Sequence, residues 1–202
     1  MVKRSAIFTP RLQATSRSHQ CPEHPAGVGV SITFHPPTAS TMTIPSHVLP
    51  MWSAFSLEEG GINDERFYEA FSFGDSSPMA DELGKLVLAG IKRATAGSVW
   101  SYESTGKGVP KPGDLSVVTD SNDTPLCIID TVQVDIVPFF AVSEEFAATE
   151  GEGDGSLDYW RKAHLDYFTR ECERSGRSFN HEMLLACERF RVVHPRMTSR
   201  TA

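Results

Sequence analysis

The sequence predicts an α+β domain in which a meander of short strands is flanked by helices. Strand-like runs at Ala94–Tyr102, Leu115–Thr119 and Leu126–Val134 are separated by two turn compositions, Pro110-Lys111-Pro112-Gly113-Asp114 and Ser121-Asn122-Asp123-Thr124-Pro125. Helical periodicity brackets these runs on both sides. At 202 residues and 40% hydrophobic content, the chain is long enough for one domain plus a tail.

In chain order, residues 1–50 are rich in Ser, Thr, Pro and His, lack sustained periodicity and read as a disordered tail. Their first 22 residues are basic and free of Asp and Glu. They read either as loosely like an organelle transit peptide or as an upstream extension, with Met42 or Met51 as the true initiator. Order is expected from near Trp52, with a short amphipathic helix around Arg66–Phe71. A second helix, Pro78–Ala89, has Ser77 as its cap, Pro78 in its first turn, Leu83, Leu86 and Val87 on one face and Gly90 as a left-handed exit. After the strands and Pro138, Ser143–Ala148 reads as a short helix. The acidic run Glu150–Gly155 separates it from a long helix capped at Ser156, which carries Leu157, Trp160, His164, Tyr167 and Phe168 at helical spacing and ends near Gly176. Leu184–Val193 returns as the closing strand, with Pro195 beyond it.

Composition narrows the function classes. The net charge is −7, but residues 1–50 carry +3, so the remaining 152 residues carry −10. A domain this acidic is a poor partner for long duplex DNA, whose binding draws on many lysine and arginine contacts to phosphate. A small ligand or a short strand fits better. No apolar stretch reaches the roughly 18–20 residues needed to cross a bilayer, and the N-terminus lacks an apolar signal core, so a cytoplasmic protein without membrane contact is expected. Cys21, Cys127, Cys172 and Cys187 form no C-x-x-C pair; reduced thiols are expected, and no His–Cys group has zinc spacing, so neither metal nor cofactor is predicted. Nothing in the sequence sets the oligomeric state.

The most informative run is Gly90-Ile91-Lys92-Arg93-Ala94-Thr95, which places an amine beside a hydroxyl where a helix ends and a strand begins. A lysine held out of water can lose its proton and act as a base, and a threonine hydroxyl becomes a nucleophile when such a base adjoins it. A structural reading competes: lysine is favoured past a helix C-terminus, and threonine suits a strand start. In a regular strand, side chains three residues apart also point to opposite faces, so the pair converges only if a turn or bulge intervenes.

The residues Phe73-Gly74-Asp75, Ala80-Asp81-Glu82-Leu83, Gly90-x-Lys92-x-x-Thr95, Pro112-Gly113-Asp114, Pro138-Phe139, Glu150–Asp154, Trp160-Arg161 and Cys187-Glu188-Arg189-Phe190 resemble the ASCH domain family, small PUA-like β-barrels. The resemblance spans about residues 65–195 and sets a domain at 51–197. It implies RNA or a nucleoside as partner, held in a cleft around the Gly-x-Lys-x-x-Thr run. Some relatives hydrolyse the amide of N4-acetylcytidine with a lysine, a threonine and a glutamate. By position these would be Lys92 as base, Thr95 as nucleophile and Glu150 as the third group, with Glu152 as its rival. Two alternatives stand beside this reading: a non-catalytic RNA-binding module, in which Lys92 and Arg93 contact phosphate, and a metal-independent ribonuclease. The acidic run containing Glu150 also reads as solvated surface.

Further residues are expected near the ligand. Trp160 can stack a base or pack in the core, while Arg189 and Arg191 alternate on the closing strand, either lining the cleft with Lys92 and Arg93 or pairing with Glu188 or the Glu150 loop. His164, on the apolar stripe of the long helix, reads as a hydrogen-bonded core histidine.

Overall fold

The computed structural model describes residues 2–3 and 43–195, and most of the expected N-terminal tail lies outside them. Six strands form one mixed sheet that curls into a half-barrel: β1 (Val2–Lys3), β2 (Phe67–Ser72), β3 (Ala94–Ser98), β4 (Leu115–Thr119), β5 (Pro125–Pro138) and β6 (Leu184–His194), in the spatial order β1-β2-β4-β5-β6-β3. Of the expected meander β3–β4–β5 only β4 and β5 are antiparallel neighbours: β3 lies at the far edge, antiparallel to β6 with Thr95 opposite Glu188, while β6 pairs with β5 and β2 joins β4 in parallel.

Among the described residues five α-helices pack around the sheet: α1 (Leu49–Glu58), α2 (Ser77–Leu88), α3 (Val99–Ser104), α4 (Glu144–Glu150) and α5 (Leu157–Arg174). α1 straddles the border expected between residues 50 and 51, and Val48 before it is fully buried in the cluster that holds Trp52, Phe67 and Ile128. α4 and α5 pack through Phe146, Trp160 and Phe168 onto Leu185 and Cys187 of β6.

Three local expectations are corrected. The helix expected at Arg66–Phe71 is strand β2, buried along its whole length. The spacing of Phe67 and Phe71, which looks like a helical stripe, serves two separate clusters, one around Trp52 and one around Phe73 and Phe190. The strand expected to run to Tyr102 ends at Ser98, and the chain turns into α3. Tyr102 thereby folds back over Gly97, where an added Cβ would lie 2.8 Å from the tyrosine hydroxyl. Finally, the residue capping α2 is Ser76 rather than Ser77, and its side chain makes no capping hydrogen bond.

The exit of α2 matches the sequence. Gly90 has φ +72°, its N–H donates to Val87 O, and the N–H of Ile91 donates to Leu86 O, each at 2.9 Å, which is a Schellman closure. The N–H of Lys92 also donates to Leu86 O, so Lys92 lies on the turn and not on the strand. This turn removes the alternation objection to bringing Lys92 and Thr95 together.

Candidate functional site

Two chain corners meet at the site. Ser143 caps α4 by accepting the N–H of Phe146, and the helix runs two residues beyond its expected end to finish on Glu150. Gly151 then reverses the chain at φ +65°. A Cβ on Gly151 would lie 2.6 Å from Ile91 O, so only glycine allows the end of α4 to approach the exit of α2 this closely. The main chain of Arg93 fastens the contact: its N–H donates to Thr149 O at 3.0 Å, and its carbonyl accepts from Phe190 of β6 at 2.9 Å.

This approach sets Lys92 between two carboxylates. Its Nζ donates to Glu150 Oε2 at 2.9 Å and to Glu152 Oε1 at 2.5 Å, and lies 5.2 Å from the Phe73 ring centroid. Lys92 is 1% exposed and Glu150 0%. Glu150 Oε1 makes no hydrogen bond although it is buried, which leaves one acceptor at the pocket wall. The acidic run is therefore not solvated surface at its start: Glu150 ends a helix inside the protein. Farther on, Asp154 accepts the N–H of Ser156 at 2.9 Å, and Ser156 caps α5.

The charge state differs from the expectation. Burial acts to lower the Lys92 pKa, but the charges of Glu150 and Glu152 and their hydrogen bonds outweigh it, and the pKa is raised above the ordinary value. Lys92 is thus an ammonium at rest, not a neutral amine. For Glu152, burial favours the protonated form, yet Lys92 and then His164 hold the carboxyl below the usual range.

His164, from α5, completes the group. Its Nε2 lies 3.6 Å from Glu150 Oε2, and its Nδ1 lies 3.0 Å from Trp160 O. A carbonyl only accepts, so Nδ1 carries the hydrogen and Nε2 faces the carboxylate. One atom each from Glu150, Glu152 and His164 lie within 4.8 Å of one another, a set that could hold a cation. Such a cluster, assembled from α4, its exit turn and α5, leaves no trace in sequence spacing. The Lys92 ammonium already bridges both of its carboxylates.

Lys92, Thr95, Glu150, Glu152 and His164 line one cleft together with Phe73, Met79 and Tyr167. The cleft has about 510 Å³ of atom-free space, open mouth included. Asp75 fixes the loop at its rim, accepting from Arg170 at 3.0 Å and from Arg174 at 3.1 Å. Cys187 has its pKa pushed up to about 12 by burial and by Glu150, so it supplies no competing thiolate.

Other expected ligand contacts lie elsewhere. Trp160 is buried, stacked on the His164 ring at 4.0 Å and tilted against Phe139, so its face is not open to a base. Arg189 pairs with Asp135 and Glu145, and Arg191 with Asp130, rather than with Glu188 or the Glu150 loop, and neither lines the cleft. The Arg93 side chain is exposed and away from the cleft wall. Sequence reasoning set His164 aside as core; it is hydrogen-bonded and buried as expected, and it lines the cleft as well.

The comparisons agree with this architecture. The family model described as "ASCH domain" matches residues 69–194. Among solved structures, the ASCH domain from Lactobacillus crispatus JV V101 is 33% identical, with a TM-score of 0.67, covering 74% of this chain and 95% of its own. Protein EF3133 from Enterococcus faecalis V583, assigned to family DUF984, is 36% identical, with a TM-score of 0.67, covering 73% of this chain and 88% of its own. No curated protein matches the sequence. Among the described residues no helix is long and apolar enough to cross a membrane. From the family match and the shared half-barrel, the chain belongs to the ASCH domain family, a fold linked in general to RNA binding.

Proposed function

We propose that the cleft binds a nucleoside, free or at the end of a short RNA, and hydrolyses an amide on its base, as in an N4-acylated cytidine. The observation that carries this reading is that Lys92, Thr95 and the buried carboxylate of Glu150 line one cleft, with Lys92 hydrogen-bonded to Glu150. Thr95 Oγ1 attacks the acyl carbonyl, Lys92 takes the hydroxyl proton and then gives it to the leaving amine, and Glu150 orients Lys92. As an ammonium, Lys92 also lies where it can stabilise developing negative charge on the carbonyl oxygen. Phosphate binding by Lys92, on which the pure binding-module reading draws together with Arg93, is disfavoured because two carboxylates already neutralise it.

The test is turnover of N4-acetylcytidine by wild type, Lys92→Arg, Thr95→Ser and Thr95→Val, with ligand binding and thermal melting measured alongside. Lys92→Arg should abolish turnover, because arginine keeps the charge but gives up no proton near neutral pH. Thr95→Ser should retain some turnover and Thr95→Val none. Affinity should change little with salt; a steep salt slope would favour strand binding through phosphates. Wild type that binds the nucleoside and releases no acetate overturns the hydrolase reading.

A further inference from the structure

The cleft uses one flank of α5, through Ala163, His164 and Tyr167. At about 3.6 residues per turn, Arg161, Lys162 and Leu165 lie on nearly the opposite flank, where they form a second groove with Phe139, Phe140 and His181. We propose that this groove binds single-stranded RNA, stacking a base on Phe140 and holding phosphates with Arg161 and Lys162. The inference rests on the short-RNA form of the reading above and gives the strand a place outside the cleft.

The groove follows from the way the chain turns after β5. The N–H of Phe139 donates to Met183 O at 2.9 Å and that of Phe140 to His181 O at 3.0 Å, so the turn Phe139–Ala141 is tied to the segment that enters β6. The Phe139 ring packs inward against Trp160 and Phe168, while Phe140 is left 55% exposed beside Leu165 at 37%. The groove holds about 830 Å³ of atom-free space, open mouth included. An exposed ring offers a face on which any base can stack.

Charge selects the ligand. Arg66, Arg170, Arg174, Arg189 and Arg191 each pair with a carboxylate. Arg161 does not: its guanidinium has only the Phe140 carbonyl, at 3.5 Å, and Lys162 has neither hydrogen-bond nor ion-pair partner among the described residues. Asp158 and Asp166, about a turn away on either side of Lys162, pair with neither cation, and no carboxylate lines the groove. Two adjacent free cations in a region of −10 charge complement an anion. A peptide fits less well, because the N–H groups of Phe139 and Phe140 are already bonded and leave no strand edge to add to. A base and its phosphates need only what is present, a ring face and two cations.

The two sites are also within reach of one strand. A helix with its side chains is about 10–12 Å across, so a few nucleotides can extend from one flank of α5 to the other.

The experiment uses the full-length chain and a fluorescently labelled oligouridylate of a few nucleotides, with dissociation constants read by anisotropy from roughly 50 to 300 mM salt. Phe140→Leu keeps the floor apolar and removes the ring; it should weaken binding on the order of 10-fold. The double variant Arg161→Gln, Lys162→Gln should lower the slope of log affinity against log salt by about 1.4, the share of two phosphates in a single strand. Residues 1–50, which are basic, are the same in every variant, so the differences report the groove. Arg93→Gln removes an exposed cation outside the groove and should change the slope far less. If Arg93→Gln costs as much as the double variant, or if Phe140→Leu binds RNA like wild type, the strand is not in the groove and the inference is overturned. An acidic peptide of alternating glutamate and tryptophan tests the other class: binding of the peptide, lost in the double variant, with no binding of RNA overturns the RNA assignment. Nucleoside binding is measured separately, since N4-acetylcytidine carries no phosphate. Wild type that neither binds nor hydrolyses it ends the hydrolase reading and leaves the anisotropy result to decide the groove.

Discussion

Lys92 and Arg189 each bridge two carboxylates at the same pair of distances, 2.9 and 2.5 Å, yet they sit in opposite surroundings. The partners of Arg189 are Asp135 and Glu145, 45% and 70% exposed, whereas those of Lys92 are 1% and 17% exposed. In water, such pairs gain little because solvent would satisfy the same groups. Inside the protein each charge has lost its hydration, and the neighbours have become the only compensation. Contact distance therefore says little about what an ion pair contributes; access to water decides it.

The sharpest way to break this comparison is to remove each cation. Lys92→Met strands two carboxylates and should cost about 3–5 kcal/mol in urea unfolding at pH 7. Arg189→Met should cost less than about 1 kcal/mol, including the guanidinium's contact with the Phe146 ring. Equal losses would mean that burial does not distinguish the two.

A second expectation concerns acid. Because the folded pKa of Glu152 lies below its ordinary 4.5, its contribution is complete above pH 4.5 and is lost as pH falls through the folded value. Wild type should therefore lose stability on acidification below pH 4.5, and Glu152→Gln should flatten that limb. In Lys92→Met, burial remains while the lysine charge is gone, so the sign should reverse and stability should rise as pH falls from neutral. Melting temperatures from pH 3 to pH 7 for the three proteins decide this.

On the alkaline side the effect is smaller within the accessible range. The Lys92 pKa is raised above its ordinary 10.5, so its contribution is complete below that pH and fades only as pH climbs through the folded value. Urea midpoints for wild type and Lys92→Met should keep a constant separation between pH 7 and pH 10 and converge beyond it. The smallest expected effect is ionic: the cost of Arg189→Met should shrink in 1 M NaCl, where screening reaches about 3 Å, while that of Lys92→Met should not.

Much of this was legible in the sequence because local rules governed it. The Gly90 exit, the Ser156 cap, the short helix after Pro138 and the β4–β5 hairpin follow from turn and capping chemistry acting over a few residues, whereas the placement of β3 beside β6 does not. Lys92 and Thr95 were read from the Gly90–Thr95 run itself and Glu150 through the family resemblance, and the turn at Lys92 supplied the convergence that strand alternation denied. What could not be read depended on distant partners. β2 is a strand because β4 and a neighbouring two-residue strand flank it, and nothing within Phe67–Ser72 alternates. The protonation of Lys92 was misjudged because a lone buried lysine becomes neutral, while one beside Glu150 and Glu152 does not. The second role of His164 needed the end of α4 to arrive across the cleft.

The contact of Gly151 with the Ile91 carbonyl divides the cleft into two kinds of wall. On one side the separation of ammonium and carboxylates is fixed main chain to main chain, and any side chain at residue 151 would force it open. Phe73, Met79 and Tyr167 line the same cleft from separate elements and take no part in that main-chain contact. The spacing of the charged groups is therefore held by backbone, while the shape of the apolar lining is open to change by side chains alone, as a lathe changes its workpiece without moving the headstock.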